Sequence, residues 1–362
     1  MVVITMRGDK SIFEKRLRKF QELLRENNID GAVIRALSTF TYFTGTRWLR
    51  PSLLVPAEGE PTVLVVEGEA GEFKRRSWID DVVEYQEVES LMAIVVGWIK
   101  GNGYARVGLE FSVERDAYLL FLKVFQRLNP EIEIVDILDL TFQLRAHKDS
   151  WEKENIRKAG KIAAKGMKLA EEIIDVGKSE LEISSEIMHL LASEGSEDPK
   201  VYVSTTPRVH AEPFRDLYVK NDSVVTVVIG ADYNNYYANM ARTFFVGNPG
   251  REVLRVTEVK KKAYEIAVEK TKIGMTFNSV EKEIFQLYRH ERLEDYYIKG
   301  YTHGVGLLIE EPPITTIVVA HRFWKVEKDM VLAIIHPPLM LQEGAIKHED
   351  TFIVGEKLEK VT

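Results

Sequence analysis

Two stretches near the C-terminal end of the chain bring together histidine and carboxylate side chains that can do chemistry. The segment YTHGVGLLIEEPP places His303 among small residues and follows it with Glu310 and Glu311, and KHEDTFIV places Glu349 at the head of an apolar strand pattern. Imidazole and carboxylate groups bind divalent ions and transfer protons in hydrolytic reactions. A hydrogen-bonded histidine and a solvated acidic turn before the prolines are the alternative interpretation of the same residues.

A third stretch, VIGADYNNYYANMARTF, has the pattern of an active-site strand pair but carries an amide where an acid is expected. Two strand patterns flank the turn-like sequence DYNN. Because successive side chains of a strand point to opposite faces, Tyr237, Asn239 and Ala241 are predicted to share one face. Arg242 follows directly and can bind a carboxylate. What Asn239 does in place of an acid decides which chemistry remains open to this site.

The elements that must position these residues differ between the two halves of the chain. The first half alternates helix and strand patterns, with a helix at 11–27 opened by Ser11 and Glu14 as a capping box, and a hairpin around the turn EGEP. The second half begins with helices to about 175 and at 180–194, and then groups strands around two more helices. Those strand patterns lie at 200–206, 224–231, 236–246, 331–336 and 346–354, and the helices at 251–272 and 278–291.

This grouping predicts an α+β protein of two domains. Residues 1–145 form a smaller α/β domain with a mixed sheet, and residues 146–362 form a domain with a mostly antiparallel sheet. A charged stretch at 144–160 is predicted to be the hinge between them.

The composition argues against several classes of protein. The chain has 56 acidic and 49 basic residues and a formal net charge of -7, which disfavours a nucleic-acid partner. It has no cysteine, which removes disulfides, thiolate metal sites and cysteine nucleophiles, and which favours a cytoplasmic location. We expect neither a signal peptide nor a membrane partner, because the apolar runs are too short to cross a bilayer.

In order and spacing, these stretches resemble the pita-bread family of peptidases, which includes prolidase, aminopeptidase P, methionine aminopeptidase and creatinase. The likeness is closest to the prolidase and creatinase branch and covers nearly the whole chain. The family motifs DLGAxYxGYxSDxTRTF, GHGxGLxxHExP and EDT correspond to VIGADYNNYYANMARTF, THGVGLLIEEPP and KHEDT. Weaker matches are FTGTR, which ends at Arg47, and the junction residues Arg145, Lys148, Asp149 and Glu152. The resemblance implies a pita-bread domain preceded by a creatinase-type N-terminal domain, in a homodimer whose N-terminal domain closes over the neighbour's cleft.

The resemblance also implies a metal centre, and this chain departs from it. Working members hold two divalent ions between two Asp, one His and two Glu, positions that fall here on Val228, Asn239, His303, Ile335 and Glu349. Valine and isoleucine have no donor atom, and asparagine offers a neutral carbonyl. A single carboxylate cannot offset two divalent ions held ~3.5–4 Å apart. We therefore expect no two-metal centre and no cofactor beyond one weakly bound divalent ion.

An alternative ligand set for that single ion stays open at this point. A bulge in the strand could bring His336 or His348 inward beside His303 and Glu349, and two histidines with a carboxylate form a zinc ligand set. If no ion binds, Glu349 needs a cationic partner, for which protonated His303, Arg242 and Lys347 are the candidates.

Three functions are compatible with these residues. In the first, as the resemblance to creatinase implies, a metal-free hydrolase cleaves a C–N bond. His210 is then the base and His303 a further catalytic residue, while Glu310 and Glu349 anchor a cationic group. Arg47 or Arg50 of a partner subunit would hold a carboxylate.

In the second, the cleft binds a small peptide or similar small molecule without catalysis, with Tyr237, Asn239, Arg242 and Glu349 as binding residues and further tyrosines nearby. In the third, Xaa-Pro cleavage persists through a mononuclear metal site. The charge at the ligand positions favours the first two.

Overall fold

The chain divides into two compact units, Met1–Arg145 and Ala146–Thr362. The structure is a computed structural model and describes residues 6–112, 114, 117–208, 212–335 and 337–362. Each unit has its own sheets and its own buried apolar residues, so each is described separately.

The first unit is an α/β domain built on a mixed six-stranded sheet of order β4-β3-β2-β1-β5-β6. Its strands are β1 Gly31–Ile34, β2 Leu53–Pro56, β3 Thr62–Val66, β4 Val82–Tyr85, β5 Arg106–Leu109 and β6 Glu133–Asp136. Its helices are α1 Lys10–Glu26, α2 Leu37–Thr44, α3 Ala70–Arg76, α4 Val88–Gly101, α5 Ala117–Leu128 and α6 Leu138–Ala146. The predicted hairpin is the antiparallel pair β2–β3, whereas β1, β5 and β6 run parallel.

The start of α1 differs from the prediction. Asp9 is the N-cap, and its side chain accepts a hydrogen bond from the Ser11 N–H at 2.9 Å, so the capping box at Ser11 and Glu14 is wrong. Aspartate satisfies an unpaired helix N–H as well as serine does, and Asp9 lies two residues before Ser11.

The second unit packs helices outside antiparallel sheets, and its elements continue the numbering. Its helices are α7 Ser150–Ile173, α8 Glu180–Ser193, α9 Arg251–Lys270 and α10 Phe277–His290, with short 3-10 turns at Glu294–Tyr296 and Val319–Phe323. One sheet contains β7 Lys200–Ser204, β8 Ser223–Tyr233 and β9 Tyr236–Val246. A second sheet has the strand order β11-β10-β12-β15-β16. Its strands are β10 Thr302–Gly304, β11 Glu311–Ile314, β12 Val331–Ile334, β15 Asp350–Val354 and β16 Leu358–Lys360. A short pair, β13 Leu339–Met340 and β14 Ala345–Ile346, completes the unit.

The predicted hinge at 144–160 contains the division between the two units, but most of this stretch is helical. Helix α6 ends at Ala146, and α7 begins after Asp149, which caps it. The Asp149 carboxylate accepts from the Glu152 N–H and the Glu152 carboxylate accepts from the Asp149 N–H, each at 2.9 Å. This reciprocal capping explains why a run of charged residues is ordered.

The two larger sheets meet where β9 passes β15. The backbone groups of Ala241 and Glu349 exchange two hydrogen bonds of 3.0 Å, and the Asn239 N–H donates to Thr351 Oγ1 at 2.8 Å. Helices α7 and α8 bury an apolar core against β7, β8 and β9, and α9 and α10 bury another against β10, β12 and β15. No helix within the described ranges combines the length and apolar character of a membrane span.

Helix α7 allows a test of this packing, because Gly160 faces the C-terminal segment. A Cβ at Gly160 would lie 2.1 Å from the Val361 carbonyl oxygen, whereas Gly97, in the interior of α4, has open space around it. Gly160→Ala should therefore destabilise the protein by about 1–3 kcal/mol. Gly97→Ala should stabilise it by up to ~1 kcal/mol, which is the usual effect in a helix. Thermal unfolding of both variants checks this, and equal increases in Tm would contradict the packing of Val361 on α7.

Candidate functional site

The β8–β9 hairpin sets which side chains face the candidate site. Asn234 and Asn235 form its two-residue turn with φ of 49° and 68°, the left-handed conformations that a tight hairpin requires. The register pairs Val228 with Ala241, and Gly230 with Asn239. Tyr237, Asn239 and Ala241 therefore share a face, as strand alternation predicts.

Asn239 presents a buried acceptor on that face. Its side chain is buried, and its Nδ2 donates to the Ile309 carbonyl at 2.6 Å. Its Oδ1 has no hydrogen-bond partner among the described residues. Gly230 makes this arrangement possible, because a Cβ there would lie 2.4 Å from the Ile309 side chain.

The acidic pair before the prolines divides into two different environments. Glu311 is buried and forms an ion pair with Lys148 at 2.8 Å, so the solvated-turn interpretation is wrong for it. Glu310 is half-buried, and its Oε1 is a second buried acceptor to which the described part of the chain offers no hydrogen bond. Since Glu310 follows Ile309, it lies next in sequence to the residue that Asn239 contacts.

His303 lies in β10 and is buried. It pairs with Ala333 across the ladder, and its Nδ1 is 2.9 Å from the Gly304 carbonyl oxygen.

Val228 and Ile335 supply apolar surface at two of the five positions predicted from the family resemblance. Val228 is half-buried and lies opposite Tyr202 of β7, whereas Ile335 is 1% exposed and belongs to the apolar core. Strand β12 ends at Ile334, short of the predicted 336, because Ile335 has a φ of 64°. A β-branched residue in this left-handed conformation is a true outlier. His336 and His210 lie outside the described residues, so the roles predicted for them stay predictions.

Glu349 is the retained acid, and it already has a cation beside it. The carboxylate is 1% exposed, and its Oε2 lies 3.3 Å from Lys347 Nζ, which is also buried. Arg242 serves a different carboxylate: its NH2 donates to Asp350 Oδ1 at 2.8 Å, and its NH1 donates to the Glu349 backbone carbonyl at 2.8 Å. Of the partners predicted for Glu349, Lys347 forms an ion pair with its carboxylate, and Arg242 donates a hydrogen bond to its backbone carbonyl.

Asp350, the first residue of β15, is at the centre of a polar cluster on the face opposite to the Glu349 side chain. Its buried carboxylate accepts from Arg242, Tyr264 and Lys360 at 2.7–2.8 Å, and His348 Nε2 lies 3.6 Å away. Burial alone would raise the pKa of Asp350, but His348, Arg242, Lys360 and Tyr264 together lower it. His348 therefore belongs to the Asp350 cluster and packs on the Tyr264 ring, which leaves it on the side away from Glu349.

Lys260 is the residue that sequence reasoning missed. It lies on α9, is 2% exposed, and its Nζ donates to the Pro337 carbonyl. Burial, and then the charge of Lys347, lower the pKa of Lys260 to about 7, while Glu349 opposes that shift. A signal was present in the sequence, because Lys260 interrupts the apolar stripe Val253, Val256, Ala263 and Ala267 at helical spacing.

Other residues predicted to bind a ligand either make contacts within the protein or are exposed in the first unit. The Tyr237 hydroxyl donates to the Asp198 carbonyl at 2.9 Å. Tyr236 packs edge-on against Trp151, so it faces α7 and not the candidate site. Arg47 and Arg50 are exposed in the first unit, and their predicted use by a partner subunit stays a prediction.

The donor atoms at the five family positions can be compared with those that two divalent ions require. They provide two aliphatic groups, one neutral amide, one imidazole and one carboxylate paired with an ammonium group. Within the described ranges, no three His, Asp or Glu residues are grouped so that they could hold a metal ion. These residues do not fit two divalent ions, which need several anionic oxygen donors.

The fold and the β8–β9, β10 and β15 residues define a pita-bread domain preceded by a creatinase-type domain. The model of metallopeptidase family M24 matches residues 154–356, and that of the creatinase/prolidase N-terminal domain matches residues 16–147. The chain belongs to metallopeptidase family M24, in the group that contains the prolidases.

Similar proteins with the same architecture come from two Pyrococcus species. An Xaa-Pro dipeptidase of Pyrococcus furiosus is 28% identical over 354 residues, which is 95% of this chain and 96% of that protein. The prolidase structure from P. furiosus has a TM-score of 0.82 at 26% identity, covering 94% of this chain and 98% of that one. The P. horikoshii prolidase structure has a TM-score of 0.85 at 23% identity, covering 96% and 98%.

The Asp350 cluster gives a pH-dependent stability prediction. Asp350→Asn should cost about 1.5–3 kcal/mol near pH 7, because Arg242, Tyr264 and Lys360 lose the charged acceptor of their hydrogen bonds. A lowered pKa in the folded state stabilises above the unfolded value of about 3.9, and this contribution is lost as the pH falls through the folded pKa.

The difference in unfolding free energy between wild type and Asp350→Asn should therefore be full at pH 7 and shrink below about pH 4. Urea unfolding over that pH range measures it. Asp295→Asn, at an exposed position, is the control and should stay within about 0.5 kcal/mol of wild type. A difference between Asp350→Asn and wild type that does not change with pH would be inconsistent with a charged Asp350.

Proposed function

We propose that this chain is a member of the prolidase group that works without a divalent ion and binds a small peptide or similar small molecule in its pita-bread cleft. The observation that carries this proposal is the buried ion pair between Glu349 and Lys347. The retained carboxylate is neutralised by the protein itself, and the positions of Val228 and Ile335 offer no donor. Peptidase chemistry of the metal-dependent kind needs a metal-activated water and a base to take its proton.

Two free acceptors support a ligand with hydrogen-bond donors. Asn239 Oδ1 and Glu310 Oε1 are buried atoms without a hydrogen bond inside the described ranges. Leaving such atoms unsatisfied costs free energy, so a ligand that donates to them gains affinity. An ammonium or guanidinium group suits this pair, because Glu310 adds a negative charge.

Metal-free hydrolysis of a C–N bond is the second candidate, and the same two acceptors favour it. Glu310 and Glu349 would lie near the cationic part of the substrate, and His210 would act as base. Under this candidate, His210→Ala abolishes turnover and leaves binding in place. Unchanged turnover would eliminate the assignment of the base.

Xaa-Pro cleavage through a single ion is the candidate that the geometry favours least. The Glu349 carboxylate is ion-paired with Lys347, and the His348 side chain lies beside Asp350. We also propose a homodimer and a cytoplasmic location, which sedimentation and cell fractionation would test.

Metal content and peptidase activity test the proposal together. Elemental analysis of the purified protein should find far less than one divalent ion per chain. Xaa-Pro dipeptides should not be hydrolysed with or without added Co²⁺ or Mn²⁺, while the P. furiosus Xaa-Pro dipeptidase serves as the working control. Stoichiometric metal together with activity that a chelator removes would overturn the proposal.

Ligand binding has its own prediction. A thermal-shift screen with dipeptides and guanidino acids in the presence of chelator should identify ligands that raise Tm, because a ligand stabilises the state that it binds. Glu310→Gln should reduce that shift, and exposed Glu343→Gln should not. Equal shifts in both variants would remove Glu310 from the binding site.

A further inference from the structure

Two buried lysines surround the retained acid of the candidate site. Lys347 is 5% exposed and Lys260 is 2% exposed, in a region where lysine is rarely found unless it is paired. They come from different elements: Lys347 precedes β15, and Lys260 lies on the inner side of α9. Of the two, Lys347 forms the ion pair with Glu349, whereas Lys260 contacts the Pro337 carbonyl.

Lys347 is held in position by both its backbone and its charge. Its N–H donates to Thr243 Oγ1 at 2.8 Å, and its Nζ lies 3.3 Å from Glu349 Oε2. Because Lys347 and Glu349 are two residues apart in an extended segment, their side chains project to the same face. A lone buried carboxylate would carry a large desolvation cost, and this ammonium group offsets it.

Lys260 adds a second amine close to the same charge. Its Nζ donates to the carbonyl of Pro337, two residues beyond Ile335, one of the two aliphatic ligand positions. Burial and then the charge of Lys347 lower the pKa of Lys260, and the charge of Glu349 raises it. A divalent ion placed beside Glu349 would meet the Lys347 ammonium at short range, and like charges at such distances in a protein interior repel strongly.

We propose that the Lys347 ammonium is a built-in cation that takes over the electrostatic role of the divalent ions toward Glu349 and excludes them from the site. The inference rests on the proposed metal-independent function and deepens it. It assigns this role to a residue outside the five family positions. It also means that loss of the carboxylates is not the only barrier to metal binding.

Partial restoration of the ligand set tests this role without an activity assay. Asn239→Asp returns one acidic ligand, and it is combined either with Lys347→Met or with Lys325→Met, an exposed lysine that serves as control. Calorimetric titration with Co²⁺ or Mn²⁺ measures the affinity. Asn239→Asp/Lys347→Met should bind at least ten-fold more tightly than Asn239→Asp and than Asn239→Asp/Lys325→Met.

The outcomes separate the two proposals. Stoichiometric metal in the wild-type protein would end the proposed function. Metal-free wild type with equal affinities in the three variants would overturn the role of Lys347 and leave the proposed function standing.

A stability cycle covers the case in which a variant folds poorly. Lys347→Met should lower Tm because it removes the ammonium group beside the buried Glu349 carboxylate. The double variant Lys347→Met/Glu349→Gln should recover most of that loss, because neither charge then remains. Independent, additive decreases in Tm would show that the two side chains do not act as a pair and would overturn the proposal.

Discussion

A buried carboxylate that stays charged needs a cation or hydrogen-bond donors beside it, and this requirement governs the candidate site. Glu349 is almost completely excluded from water at the point where β15 meets β9. In a metallopeptidase of this fold, divalent ions meet the requirement. In this chain, an ammonium group lies 3.3 Å from Glu349, and apolar side chains occupy two of the ligand positions. The replacement of acids by Val228 and Ile335 is consistent with that arrangement, since further carboxylates would repel one another without the ions.

The surrounding framework has the family fold, and contacts within the protein hold it together. The Asp350 cluster, the Lys148–Glu311 ion pair and the hydrogen bonds between Asn239 and Thr351 hold the strands of the site in place. None of these contacts depends on a bound ion. The fold can therefore persist, with high similarity to prolidase structures, although the ligand positions carry other residues. Fold and chemistry are separable here because different side chains support them.

Much of the fold was predictable from the sequence because hydrophobic period and turn residues are local signals. The β8–β9 hairpin follows from alternating apolar residues around DYNN, and the register confirms the shared face of Tyr237 and Asn239. Errors arose where a local contact decided the outcome. Asp9 and Asp149 cap their helices, so the start of α1 moved and the predicted hinge became helical. The left-handed Ile335 ended β12 early, which no periodicity could reveal.

The composition of the site was less predictable, because it depends on contacts between distant residues. The sequence identified the five family positions and offered Lys347 among three partners for Glu349. It did not identify Lys260, which reaches the site from α9, nor the cluster that draws His348 to Asp350.

The most direct measurement is anomalous diffraction from crystals grown with Mn²⁺ or Co²⁺. We predict no anomalous peak between Asn239, His303 and Glu349, and Lys347 Nζ in contact with the Glu349 carboxylate. Two adjacent anomalous peaks coordinated by Glu349, with Lys347 turned away, would contradict the central claim.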